Sequence, residues 1–310
     1  MRRYSYISFY FTIILLSAGF SAASNAAEFV QKPVSFLFEL KLADNKNLLL
    51  PSDVASSDKN IYVVDGGHHR IVVYNQKGQF QFTFGAEGAQ KGKFKYPVGI
   101  DVANNGDIYV ADSGNRRIQV FSSKGKFKRQ FKIKSGRYLI RPIDVLVDEK
   151  KKEVFVSGNE SHEIMVFSLN GKLKRSWGGS GVNEGEFRYP ATLAHLKDGR
   201  VAAVDVLNSR IQVFEKKGDY SFQIADWGVT QGQVFRPKGI AFDSLGNAYV
   251  SDSYLNVVQA FSDEGDFLHV LDTGEQHKLF TPVGMVIDKN NRLYITEMRR
   301  HRVSVYQLQP

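Results

Sequence analysis

The fold is decided by the run Pro97-Val98-Gly99-Ile100-Asp101 and its continuation Ile108-Tyr109-Val110-Ala111-Asp112-Ser113-Gly114-Asn115-Arg116-Arg117-Ile118-Gln119-Val120-Phe121. A short apolar segment opens on a proline, a turn rich in Asn, Asp and Gly stops it, and a β-branched, aromatic run of strand length follows. The same order returns at Pro51, Pro142, Pro190, Pro237 and Pro282, at intervals of 45 to 48 residues. A fixed period of that size signals a repeat architecture. Second strands recur at residues 61–64, 154–157, 201–204, 248–251 and 293–296. Third strands alternate in pattern, as at 118–121 and 211–214, and a Lys-Gly, Asn-Gly or Glu-Gly turn leads into a fourth, such as 80–84. Six such units predict an all-β chain, a six-bladed β-propeller of four-stranded antiparallel blades.

The ends sharpen this reading. The last unit, residues 282–310, has 29 residues and stops after its third strand. Residues 34–50 supply 17 more, beginning with the strand-like Phe36-Leu37-Phe38-Glu39-Leu40, and the two pieces together make one period. The N-terminal strand is therefore expected to complete the last blade and close the ring, which leaves only short, protected sheet edges. Residues 34–310 are read as a single propeller, 27–33 as a short linker and 1–26 as a leader.

That leader has Arg2 and Arg3, an apolar stretch over 7–20, and the small-residue run Ser21-Ala22-Ala23-Ser24-Asn25-Ala26-Ala27. This is the order of a secretory signal, expected to be cleaved after Ala26 or Ala27. Its apolar part is shorter than the roughly 20 residues a spanning helix needs. The expectation is an exported protein, periplasmic or extracellular, with no membrane span after cleavage. Hydrophobic residues make up 43% and charged residues 24%, a globular composition. The absence of cysteine excludes disulfides, thiolate metal sites and cysteine nucleophiles. Basic residues number 41 against 32 acidic ones, and only two of the basic ones lie in the leader, so the mature chain stays basic.

The repeat resembles that of the NHL-repeat family of six-bladed propellers, across essentially all of residues 34–310, in the manner of an exported bacterial-type member. The resemblance implies the fold and leaves function to the site, because the family includes binding, sensing, scaffold and enzymatic members. An aspartate closes the second strand as Asp65, Asp112, Asp205 and Asp252, with Glu297 in the last blade and Gly158 in the third. An arginine opens the third strand as Arg70, Arg117, Arg210 and Arg302, with Glu163 and Val257 as departures. Recurrence argues against catalysis, which needs one asymmetric constellation. These pairs are expected to hold turn amides and to fork onto carboxylates.

Departures from the repeat carry more information. The second residue after each proline is Asp53, Gly99, Asp144, Thr192, Gly239 or Gly284. If the inner strands line the channel, as the resemblance implies, Asp53 and Asp144 project near one mouth, beside Thr192. Two carboxylates there would bind a cation or act as an acid/base pair, or cap neighbouring amides; capping is favoured, since a pair lacking a third ligand is thin for a metal. No cofactor is expected. His195 stands where other inner strands carry Val102, Val147, Phe242 or Ile287. It reads as a satisfied core histidine, with a ligand-binding role as the alternative. His68, His162 and His301 read as wet loop residues. The histidines show no metalloprotease spacing, and no nucleophile-elbow or phosphate-loop motif occurs.

Partner contacts are expected in two places. Between 124 and 141, Lys124, Lys126, Lys128, Arg129, Lys132, Lys134, Arg137 and Arg141 occur with no acid, interleaved with Phe127, Phe131 and Tyr138. Strand alternation puts several of them on one face of the second blade, with Lys91, Lys93 and Lys95 in reach. The loops that cross between blades form a rim, where Phe94, Phe187, Phe235 and Phe280 are expected to anchor the crossings. Arg188, Tyr189, Arg236, Tyr254, Arg299 and Arg300 are the expected contact residues, because Tyr and Arg dominate interface energetics. The reading is a non-catalytic binding or scaffold module for a protein or an anionic cell-envelope polymer, with nucleic acid disfavoured in an exported chain. The alternative is a metal-dependent hydrolase, lactonase-like or lyase-like, with its site in the channel.

Overall fold

The computed structural model describes residues 30–43 and 46–309. The leader expected over 1–26 lies outside the described residues. Six antiparallel sheets follow one another along the chain, each with its inner strand opening on one of the repeat prolines: Pro51–Ser56, Pro97–Val102, Pro142–Asp148, Pro190–His195, Pro237–Phe242 and Pro282–Ile287. These are the inner strands of blades 1 to 6. Each contacts the next, and the sixth returns to the first. Ser35–Glu39 pairs antiparallel with Arg302–Gln307 and supplies the missing fourth strand of blade 6. The Arg302 guanidinium reaches Glu39 at 2.6 Å across that seam.

The second and third strands of each blade are buried on both faces, so they read as continuous apolar runs where a half-exposed sheet would alternate. Ile61, Tyr62, Val63 and Val64 are all essentially inaccessible. The core is correspondingly divided into six clusters, each between two neighbouring blades. Each large apolar side chain so buried contributes roughly 1.5–3 kcal/mol. Outer strands face solvent on one side and do alternate, as Phe80–Phe84 does.

Two expectations need correction. Gln31–Pro33, read as linker, forms a strand parallel to Phe267–Asp272 and gives blade 5 a fifth, outermost strand. Among the crossing aromatics, Phe94 and Phe187 are fully buried, but Phe280 is 41% exposed. The anchoring position lies three residues before the proline, and Leu48, Val234 and Leu279 fill it in blades 1, 5 and 6. Phe235 and Phe280 stand one residue later, which turns them toward the surface.

Candidate functional site

The prolines and crossing loops lie at one end of the channel and the turns after the inner strands at the other. Every inner strand carries a register shift just after its proline. Such a bulge frees backbone amides from the sheet ladder, and a buried free amide needs an acceptor. Asp53 Oδ2 accepts from the Ile100 amide of blade 2 at 2.9 Å. Asp144 Oδ2 accepts from Leu193 of blade 4 at 2.8 Å. Between them Asp101 Oδ2 accepts from Val147 of blade 3 at 2.7 Å. Three carboxylates thus tie blades 1 to 2, 2 to 3 and 3 to 4 along the channel wall.

Gly99 and Gly284 explain how the strands come so close. A Cβ on Gly99 would lie 2.6 Å from the Ile143 carbonyl oxygen, and one on Gly284 2.7 Å from that of Ser52. The aspartate and glycine positions therefore interlock as neighbours around the ring.

The expected capping role of Asp53 and Asp144 is what the geometry gives. Burial, and next the neighbouring Asp144, hold the Asp53 carboxyl well above the usual range. Burial pushes Asp144 up to about 7 and Asp101 up to about 6. Each directs one oxygen at an amide of the next blade, and burial makes each bind a proton more tightly than a free carboxylate. Asp101 escaped the sequence reading. Its signal was present, since the fourth residue after the other prolines is Ala55, Leu146, Ala194, Ala241 or Val286.

Thr192 and His195 line the same channel cavity of about 170 Å³, whose wall is otherwise largely aliphatic. The His195 ring meets Phe155 edge-on at 5.4 Å. It packs as a core histidine, with the Arg200 backbone within hydrogen-bonding reach of its ring. Burial lowers its proton affinity, which keeps it neutral near pH 7. Among the described residues no group of three or more His, Asp or Glu side chains is placed to hold a metal ion.

The recurrent Asp–Arg pairs serve the blades. Asp112 is fully buried; it accepts from the Lys95 amide at 2.8 Å and from Arg117 Nε at 2.6 Å. Arg117 then grips the Ala89, Gln90 and Lys93 carbonyls of the crossing loop. Arg210 repeats this with Asp205 and the Asn183 and Glu186 carbonyls. Blade 3, which lacks both residues, is preceded by a different crossing, the small hairpin of Lys134–Ser135 with Tyr138–Leu139.

The loop histidines are not simply wet. His69, His162 and His301 each take a left-handed conformation, and each Nδ1 accepts the amide of the residue before the next blade's proline: Tyr96 at 3.0 Å, Tyr189 at 3.2 Å and Leu50 at 3.0 Å. Asn256 does the same for Thr281. His68 instead contacts Asp65 of its own blade at 2.9 Å.

On the rim, Arg188, Tyr189, Arg236, Tyr254, Arg299 and Arg300 are all exposed to some degree, in separate groups. Tyr254 packs on Phe235 at 4.6 Å, and the Arg236 guanidinium lies 5.8 Å from the same ring. Arg300 stands 5.7 Å from the Phe280 ring, with Arg299 beside it in sequence. Tyr189 meets His162 edge-on at 5.7 Å, next to exposed Arg188. Phe235 and Phe280 thus pack among exposed rim residues.

The basic face of blade 2 is smaller than its sequence. Lys128 is held by Asp107 at 2.6 Å. Arg129 turns inward to the Tyr109 hydroxyl at 2.7 Å and the Leu169 carbonyl at 3.0 Å. Arg141 and Arg116 converge on Glu160. Lys124, Lys126, Lys132, Lys134 and Arg137 remain outward, and Arg137 stacks on Tyr138 at 5.1 Å. No helix among the described residues is long and apolar enough to cross a membrane.

The chain carries NHL repeats: the sequence profile described as NHL repeat matches residues 48–74 and 94–121. It is 29% identical over 133 residues to Protein brain tumor of Drosophila melanogaster, which is 42% of this chain and 12% of that protein's length. The chain thus spans a small part of that relative. In fold it is similar to a streptogramin B lyase, with TM-score 0.62 and 15% identity, covering 89% of this chain and 98% of that one. A gluconolactonase from Xanthomonas campestris superposes with TM-score 0.63 at 15% identity, covering 91% and 97%. Those two structures share the propeller architecture with this chain.

Proposed function

We propose that the protein is an exported, non-catalytic binding propeller that engages a protein or an anionic cell-envelope polymer through its loop rim and the basic face of blade 2. The observation that carries this reading is the division of polar residues. The channel carboxylates and recurrent Asp–Arg pairs are consumed in joining blades, whereas the Arg–aromatic groups of the rim and Lys124, Lys126 and Lys134 face solvent on a rigid scaffold. Loops fixed on such a scaffold are suited to recognition. The Phe235 ring holds Arg236, and the Lys278 carbonyl, Glu297 and the Phe280 ring hold Arg300, before a partner arrives, which reduces the ordering cost of binding. The signal-like leader supports the exported setting.

The test is capture from a native envelope fraction, with and without a chelator, by the wild type and by a Lys124→Glu/Lys126→Glu/Lys134→Glu variant. Capture that survives chelation and falls at least tenfold on charge reversal supports the proposal. A stoichiometric metal in the purified protein, with hydrolase or lyase turnover abolished by Asp53→Ala or Asp144→Ala, replaces it with the enzyme reading.

A further inference from the structure

A second cavity lies away from both the rim and the channel carboxylates. It opens at the opposite end of the ring, among the turns of blades 6, 1 and 2, with a volume of about 690 Å³. Its position follows from how neighbouring turns are joined. Glu149 accepts the Asn105 amide between blades 2 and 3, Lys151 donates to the Gly199 carbonyl between 3 and 4, and Lys289 meets Asp58 at 2.7 Å between 6 and 1. No comparable tie joins the turns of blades 1 and 2 among the described residues, and the cavity opens there.

Its chemistry is amide, hydroxyl and aliphatic. The side-chain amides of Asn104 and Asn290 face the space with no hydrogen bond inside the protein, as does the Ser123 hydroxyl. The Asn60 side-chain amide donates to the Tyr62 hydroxyl at 3.3 Å, which leaves its side-chain Oδ1 available. Val102 and Ile287 supply an apolar floor. Charges at the wall are largely cancelled in pairs: Lys289 with Asp58, and Arg292 with Asp288 at 2.6 Å. Lys59 at the lip is the remaining cation, beside Asp58.

We infer that this cleft binds a neutral saccharide. A carboxamide presents one acceptor and two donors without charge, the complement of adjacent sugar hydroxyls, each of which both donates and accepts. The aliphatic floor suits the C–H face of a pyranose ring. The volume falls within the roughly 300–1,000 Å³ typical of small-ligand sites and accommodates a disaccharide. An anionic ligand would meet a single cation beside a carboxylate. This site is independent of the rim proposal.

The experiment titrates the full folded protein with neutral disaccharides of glucose, galactose, mannose and N-acetylglucosamine in α and β linkages, followed by saturation-transfer NMR and calorimetry. Glucose 6-phosphate and glucuronate serve as charged comparisons. The expected result is binding of at least one neutral disaccharide at micromolar to millimolar Kd, weakened roughly tenfold or more by Asn104→Ala/Asn290→Ala. Ser123→Trp, an exposed substitution that fills the mouth, should abolish it, and Arg236→Ala on the rim should leave it unchanged. Unaltered melting temperatures show that the variants are folded. The inference is overturned if no member of the panel binds, if binding survives both cleft variants, or if the charged sugars bind more tightly than the neutral ones.

Discussion

Asp144 shows how one side chain joins two blades and makes the joint sensitive to pH. Its carboxyl titrates near 7 in the folded protein, against about 3.9 for a free aspartate. The native state therefore holds more protons than the unfolded chain between those values, so this contribution to stability falls as pH rises from about 4 to about 7. Asp101 acts in the same direction over a narrower window, up to about 6. Asp144→Asn keeps an oxygen for the Leu193 amide and removes the buried charge. It should raise stability at pH 8 by roughly 1–3 kcal/mol and flatten the dependence between pH 4 and 7. Asp144→Ala strands the amide and should cost roughly 1–3 kcal/mol at pH 4, where the carboxyl is neutral in the folded protein. Denaturant melts at the two pH values check both, and an unchanged slope in the Asn variant contradicts the assignment. Gly99→Ala is a steric test of the same joint. Its methyl would lie 2.6 Å from both the Asp144 Cα and the Ile143 carbonyl oxygen, so adding Asp144→Asn gives no relief, and the expected loss is roughly 1–3 kcal/mol either way.

At the scale of the element, strands and crossing loops were legible to different degrees. Proline spacing and apolar runs located all six inner strands, because burial between blades imposes the same demand on each repeat. The Asp–Arg pairing was legible too, since both partners lie within one repeat. The blade-to-blade ties were harder to see: His301 and Leu50 are 251 residues apart, and only ring closure makes them neighbours. Asp101 was hidden for a different reason, because it looks like an ordinary strand aspartate until the same position is compared across all six blades. Phe235 and Phe280 are expected to anchor the crossings on aromatic character alone, where a shift of one residue decides which way a side chain points. The loop grip of Arg117 yields a prediction of its own. Lysine retains the charge but not the fork that joins Asp112 to three loop carbonyls. Arg117→Lys should therefore raise hydrogen exchange across residues 86–95 and cost roughly 1–3 kcal/mol, leaving exchange in blades 4 and 5 unchanged. Uniform acceleration around the ring would show that the arginine acts globally instead.

For the whole molecule, closure rests on the N-terminal segment, and its two strands carry separable loads. Gln31–Pro33 lies on the outer edge of blade 5 and buries little, whereas Ser35–Glu39 completes blade 6 and packs Phe36 and Phe38 against the last two core clusters of the ring. Phe36 also stacks on His277 at 3.8 Å, and Glu39 holds Arg302. A chain beginning at residue 34 should consequently melt within a few degrees of one beginning at 27. A chain beginning at 41 loses both aromatic side chains and the pairing of Arg302–Gln307, a cost on the order of 5 kcal/mol. Its third strand in blade 6 becomes an unpaired edge, so it should be cut first near residues 302–309 in limited proteolysis and should associate in solution. Supplying the peptide spanning 31–43 in trans should restore protection at that edge, because the register is dictated by the alternation of Phe36 and Phe38 with their neighbours. If the shortened chain melts as cooperatively and at the same temperature as the full one, the inner-strand ties alone hold the ring and the N-terminal strand is decoration.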